Sequence, residues 1–236
     1  MYSYNMKNKI ATYKDLIKLS IIDNKEKFVV VNFYDKNIKF GHNYTRTTND
    51  MIKYFDGKIM VRKSVAKKLA KANGKLQERN FNFTFYVTYG YRLLEIQTER
   101  FQKEFSRCSD ELSVEEKKEF IHKKIAVPKV AGHPTGGAID ITIFDKKKNE
   151  FLDMGCMISD FSKSSDKKRA TYSKEISETQ KQNRLLLHDI LVKQGFCPYY
   201  EEWWHFSYGD KEWAWFYGKK NAIYKQKKLN DIKLHF

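Results

Sequence analysis

The sequence predicts a single α+β domain with a central, mostly antiparallel sheet flanked by helices. Three observations lead there. Strand-like and helix-like segments follow one another in mixed order, without the regular alternation of a parallel sheet. Two segments open on capping boxes, Ser113 with Glu116 and Ser177 with Gln180, which mark helix starts. A β-branched run, AIDITIF at 138–144, is followed by a polar turn at 145–149 and a second short strand-like segment, the pattern of a hairpin.

The elements follow in order. KFVVVNF at 27–33 is β-branched and aromatic and predicts a strand. SVAKKLAKAN at 64–73 spaces Val65, Leu69 and Ala72 on one helical face and meets Gly74, a stop signal. FNFTFYVT at 81–88 alternates aromatic and polar residues and predicts a strand. Residues 93–108 have helical composition. Residues 113–126 form the first capped helix, closed by Pro128. The hairpin pairs 138–144 with 150–154. The second capped helix covers 177–194, carries Leu185, Leu186, Ile190 and Leu191, and stops at Gly195. Residues 199–208, rich in aromatics, predict a last strand.

The chain has 236 residues, 41% of them hydrophobic and 15% aromatic, enough for one substantial core. Its net charge of +16 arises from 45 Lys and Arg against 29 Asp and Glu. The basic runs, 67–71, 146–148, 219–220 and 225–228, are scattered and mostly lysine, so they read as solvated faces, and no nucleic-acid partner is expected. Cys108, Cys156 and Cys197 are odd in number and form no CxxC pair, which argues against a zinc knuckle or a disulfide framework and fits a reducing cytoplasm. The first residues lack the apolar core of a secretory signal, and no stretch approaches a membrane span.

Chemistry concentrates in two segments, GHPTGGAID at 132–140 and EEWWHFSYGD at 201–210. A catalytic zinc takes three His, Asp or Glu ligands and keeps an open position for water, with a general base beside it. His133, Asp140 and His205 offer the ligands and Glu202 the base. His133 and Asp140 are seven residues apart, roughly 23 Å on a straight strand at about 3.3 Å per residue, so they can share an ion only if PTGGA turns the chain back. Glu202 and His205 would face opposite sides of a regular strand, so that segment must bend after Pro198. Each residue also has a structural reading: Asp140 at a sheet edge, His205 in an aromatic core, Glu202 as a surface acid. The conjunction of two such segments favours one open metal site.

These motifs resemble the M15 family of zinc D,D-peptidases, whose patterns are SxHxxGxAxD and ExxH. The Glu-Trp-Trp-His form at 202–205 resembles its D-alanyl-D-alanine dipeptidase branch. Gly90-Tyr91-Arg92, Asn32-Phe33, Met154-Gly155, Asp160-Phe161, Asn183-Arg184-Leu185-Leu186 and Gly195-Phe196 agree with further landmarks of the family. The resemblance spans about residues 27–215. It implies the M15/hedgehog-like fold, one zinc ion per chain on His133, Asp140 and His205, Glu202 as general base and acid, Arg92 as oxyanion partner, Asp160 as the ligand of the substrate's ammonium group, and a small dipeptide substrate. Three positions depart from the family: Ala131 replaces the serine two before the first histidine, Leu93 replaces the proline after Tyr-Arg, and the stretch from Met154 to Asp160 is one residue longer. The resulting expectation is a cytoplasmic D-Ala-D-Ala dipeptidase, with residues 1–26 as an N-terminal extension packed on the domain, 27–215 as the catalytic domain and 216–236 as a basic C-terminal tail. Two alternatives remain at this level: a D,D-carboxypeptidase or wall endopeptidase on longer peptides, and a non-catalytic zinc-stabilised binding module.

Overall fold

A computed structural model describes residues 10–46 and 50–232. The outermost parts of the expected extension and tail, 1–9 and 233–236, lie outside the described residues. The strands are β1 (Ser20–Ile21), β2 (Phe28–Val30), β3 (Lys39–Phe40), β4 (Met60–Arg62), β5 (Phe83–Tyr89), β6 (Ala138–Asp145), β7 (Glu150–Phe151), β8 (Cys197–Pro198), β9 (His205–Ser207) and β10 (Asn221–Ala222). The α-helices are α1 (Tyr13–Ile17), α2 (Lys63–Arg79), α3 (Leu94–Phe105), α4 (Val114–His122), α5 (Glu178–Lys193) and α6 (Lys211–Phe216).

The main sheet runs β3-β5-β6-β9-β8, with β7 paired to the far end of β6. Every pairing in it is antiparallel except β3 with β5. The α+β architecture is therefore the expected one. Two small pairs lie outside it, β2 with β4 and β1 with β10.

Strand periodicity sorts the two faces of β6. Ile139, Ile141 and Ile143 are fully buried against a core that includes Leu69 and Leu76 of α2 and Leu187 and Leu191 of α5. Each such side chain contributes about 1.5–3 kcal/mol by leaving water. Asp140 and Thr142 alternate with the isoleucines, so the sheet presents Asp140 on the face away from α2 and α5.

Both capping boxes form, at Ser113 for α4 and Ser177 for α5. Gly195 follows α5 with φ +84°, a left-handed stop that glycine adopts at little cost. Several boundaries differ from expectation: the strands expected at 27–33 and 150–154 shorten to β2 and β7, and the helix expected at 113–126 ends at His122. The helix predicted to stop at Gly74 continues to Arg79, because Leu76 extends the stripe of Val65, Leu69 and Ala72 into the core. Of the strand expected at 199–208 only β9 forms; residues 199–204 turn, and the short β8 precedes them.

The N- and C-terminal segments close on each other. β1 pairs with β10, Lys227 Nζ bonds Asp23 at 2.8 Å, and the Tyr224 hydroxyl donates to Glu26. Arg62, fully buried, sits against the rings of Phe28 and Tyr224 and donates to the carbonyls of Thr135 (2.6 Å), Glu26 (2.5 Å) and Lys225 (2.8 Å). No helix among the described residues is long and apolar enough to cross a membrane.

Candidate metal centre and active site

His133 lies on a single 3-10 turn, His133–Thr135, that reverses the chain just before β6. Gly136 closes the turn at φ +74°, where a Cβ would meet the Phe28 ring at 2.2 Å, so only glycine fits. The turn is pinned from outside. Arg62 binds the Thr135 carbonyl, the Arg62 N–H binds Gly136 O at 2.9 Å, and the Lys227 N–H binds Pro134 O at 2.9 Å. Gln226 Nε2 donates to the carbonyls of Pro128 (2.5 Å) and Ala131 (3.0 Å). The C-terminal segment thus helps hold the loop that carries His133.

The fold-back brings His133 to Asp140. His133 Nε2 lies 3.5 Å from Asp140 Oδ1, and His205 Nδ1 lies 3.0 Å from the same oxygen. Asp140 and His205 are direct cross-strand partners in the β6–β9 ladder. One ligand atom from each of the three residues lies within 4.8 Å of the others. The donor set fits zinc: bonds of about 2.0–2.2 Å in tetrahedral geometry place neighbouring ligand atoms about 3.3–3.5 Å apart. The tautomers suit it as well. His133 Nδ1 faces the Gly90 carbonyl at 2.7 Å, so that nitrogen carries the proton and Nε2 offers its lone pair to the cluster. His205 turns Nδ1 to the cluster and places Nε2 3.8 Å from the buried carboxylate of Glu212.

The charges within the cluster act on one another. Burial presses the His133 imidazole down to about 4. For Asp140, burial acts to raise the pKa, but the charges and hydrogen bonds of His133 and His205 win and hold the carboxyl well below the usual range. Burial also acts against protonation of His205, yet the bonded Asp140 carboxylate outweighs it and lifts that imidazole to about 9.

Glu202 reaches this neighbourhood because the chain turns before β9. The Glu202 N–H binds Tyr199 O at 3.0 Å, and the His205 N–H binds Glu202 O at 3.2 Å. The side chain is buried, unlike exposed Glu201, and burial lifts its pKa to about 7. Arg92 follows β5 and binds the loop through its N–H to His133 O at 3.3 Å. Its Nε donates to the Tyr89 hydroxyl at 3.2 Å and its Nη1 to Gln97 Oε1 at 2.7 Å. Burial works against its charge, but Tyr89, Asp140 and Asp50 more than compensate, so the guanidinium stays charged. Ala131, at the position where the family carries serine, is buried beside this loop and presents no hydroxyl.

Asp160 accepts from the Ser162 N–H at 3.1 Å and the Ser165 hydroxyl at 2.8 Å, and Arg46 Nε lies 4.0 Å from its Oδ2. It sits on a loop tied to α5 by Arg184, whose Nε donates to Met154 O at 2.8 Å and whose Nη1 donates to Ala170 O at 2.7 Å.

Three surrounding residues had no sequence signal of their own. Tyr89 packs its ring edge-on against His133 at 5.3 Å. Glu212 lies beyond His205, and its pKa is pushed up to about 7 by burial. Asp210 is buried with Oδ2 unpartnered, while its Oδ1 accepts from Ser207 (2.8 Å) and from the N–H of Trp213 (2.9 Å). The acids follow the Trp-Trp-His segment in the run SYGDKEW, where only their closeness to the last histidine marked them.

The chain matches the M15 peptidase family, described as D-Ala-D-Ala dipeptidase, over residues 25–230. A D-alanyl-D-alanine dipeptidase of Synechocystis sp. is 29% identical over 189 residues, covering 69% of this chain and 74% of that protein. A D-alanyl-D-alanine dipeptidase of Enterococcus faecalis is 32% identical over 81 residues, covering 34% of this chain and 38% of that protein. Among solved structures, the LD-carboxypeptidase LdcB aligns over 97% of this chain and 96% of its own, with 18% identity and a TM-score of 0.42. VanYB in complex with D-Alanine-D-Alanine aligns over 70% of this chain and 81% of its own, with 17% identity and a TM-score of 0.39. With residues 25–230 of the 236 matched, this chain is a peptidase of the M15, D-Ala-D-Ala dipeptidase family.

Proposed function

We propose that the protein is a zinc-dependent dipeptidase that hydrolyses the peptide bond of D-Ala-D-Ala or a closely related small dipeptide. The observation that carries this reading is the convergence of His133 Nε2, Asp140 and His205 Nδ1, with the buried carboxylate of Glu202 three residues before His205. These three residues would hold one zinc ion per chain. When bound, the ion would polarise the scissile carbonyl and acidify water at its open position.

The chain's own residues supply the rest. Glu202 takes a proton from the attacking water and returns it to the leaving amine. Burial raises the pKa of this carboxyl from the ordinary carboxylate range toward neutrality, which suits a group that must both take up and give back a proton. Arg92 meets the carbonyl oxygen as it gains charge, in a position set by two hydrogen bonds rather than by solvent. Asp160 binds the substrate's ammonium group. The hydrogen bonds from Ser162 and Ser165 outweigh the effect of its burial and keep it ionised at neutral pH. The three unpaired cysteines support a cytoplasmic setting.

The test is release of free D-alanine from D-Ala-D-Ala by zinc-loaded protein, with Glu202→Ala alongside and zinc content measured for both. Release by the wild type alone, with zinc retained in the variant, is the expected result. Equal release by both proteins would remove Glu202 from the mechanism. No release by zinc-loaded wild type would reject the dipeptide as substrate.

A further inference from the structure

Arg92 is fastened by a directed chain of hydrogen bonds. Arg100 donates to one oxygen of Asp50 at 2.5 Å, and the Tyr89 hydroxyl donates to the other. A phenol has one proton, and an ionised carboxylate can only accept. The Tyr89 proton therefore points to Asp50, and a lone pair of the same oxygen receives Arg92 Nε–H at 3.2 Å. On its other side Arg92 Nη1 donates to Gln97 Oε1 at 2.7 Å, and Gln97 Nε2 donates on to the Ala126 carbonyl at 2.7 Å. Each donor in the chain has one acceptor, and among the described residues Arg92 Nη2 donates to no protein group.

The backbone arranges this. β5 pairs with β6 in register up to Val87, and a bulge at Thr88 then sets Tyr89 opposite Asp140. The bulge re-aims Tyr89 to the sheet face that carries the cluster. Its ring lies against His133 at 5.3 Å and under the Arg92 guanidinium at 4.6 Å. Without Asp50 the phenol proton could rotate toward Arg92 and oppose its N–H.

We propose that Tyr89, oriented by Asp50, is a positioning residue for Arg92, with Gln97 as the second anchor. The inference rests on the role of Arg92 at the developing oxyanion proposed above. A guanidinium displaced by about 1 Å loses most of what it adds to the transition state and little of what it adds to substrate binding.

The experiment is steady-state kinetics on D-Ala-D-Ala for zinc-loaded Tyr89→Phe and Asp50→Ala, each alone and combined with Arg92→Lys. Zinc content and thermal unfolding are measured for every variant. Tyr89→Phe keeps the ring against His133, and Asp50→Ala alters a partly exposed residue, so one stands in if the other fails to fold. Each single variant is expected to lower kcat about ten- to a hundredfold with KM within about twofold and zinc stoichiometry unchanged. In the Arg92→Lys background, which lacks the guanidinium Nε–H, neither change should lower kcat further. An equal loss in both backgrounds, or kcat within about twofold of wild type for the single variants, overturns the proposal. If Arg92→Lys itself leaves kcat unchanged, the oxyanion role of Arg92 fails and the positioning role falls with it.

Discussion

Glu202→Gln separates what the fold tolerates from what the chemistry requires. Glu202 is a buried carboxyl whose pKa stands at about 7 in the folded chain against an ordinary 4.5. Because the folded value is raised, the folded state binds the proton more tightly, and stability is lost as pH rises from 4.5 through 7. At 1.36 kcal/mol per tenfold in proton affinity, the ionised side chain costs the metal-free fold about 3 kcal/mol at pH 8 and less than about 1 kcal/mol at pH 5. Glutamine is a neutral isostere of the protonated acid and avoids this cost. We expect metal-free Glu202→Gln to be more stable than metal-free wild type by about 3 kcal/mol at pH 8 and nearly equal to it at pH 5. Urea unfolding followed by tryptophan fluorescence at both pH values reads this directly, since Trp203 and Trp204 are buried. Zinc-loaded, the same variant should lose about a hundredfold or more in kcat. Equal or lower stability at pH 8 would mean that Glu202 is not a desolvated acid held in place for catalysis.

Four further outcomes are expected. At saturating zinc, kcat/KM should fall about tenfold per pH unit on the acid side, because the base works only when ionised; the charge of the ion draws the midpoint below 7, and a flat profile from pH 5 to 8 would contradict it. Asp140→Asn should abolish stoichiometric zinc binding by dialysed protein, measured by atomic absorption, since it removes the charged oxygen shared by both histidines. Arg62→Met should destabilise the fold by about 3 kcal/mol by stranding the carbonyls of Thr135, Glu26 and Lys225, and should weaken zinc affinity in a chelator competition because the His133 turn loses its clamp. Gly136→Ala should cost about 2 kcal/mol or more in urea unfolding, from a left-handed backbone and a Cβ driven into the Phe28 ring.

The legible features are those written in local spacing. The capping boxes at Ser113 and Ser177 set the starts of α4 and α5, because a cap involves residues only three apart. The β-branched run of β6 and the glycine after α5 were equally plain, and so were the residue types of a zinc site: two histidines and a carboxylate in apolar segments, with a glutamate three before one of them. What one dimension left open is set by contacts between distant segments. Gly74 carries the chemistry of a helix stop, yet α2 runs through it because Leu76 gains more by entering the core than glycine costs in a helix, about 1 kcal/mol. That the segment after Pro198 bends was required only if Glu202 and His205 share a site; the turn itself follows from β8 and β9 pairing antiparallel with each other, with β9 beside β6. Arg62, Gln226 and Lys227 are far from His133 in the chain, and only closure of the C-terminal segment over the turn makes them its supports. Tyr89 is turned toward the cluster by the bulge of β5 against β6, and Glu212 comes beside His205 from α6. Residue types announce which chemistry is available, because metal and proton chemistry need particular atoms; which atoms meet, and how firmly they are held, depends on long-range packing that no local pattern encodes.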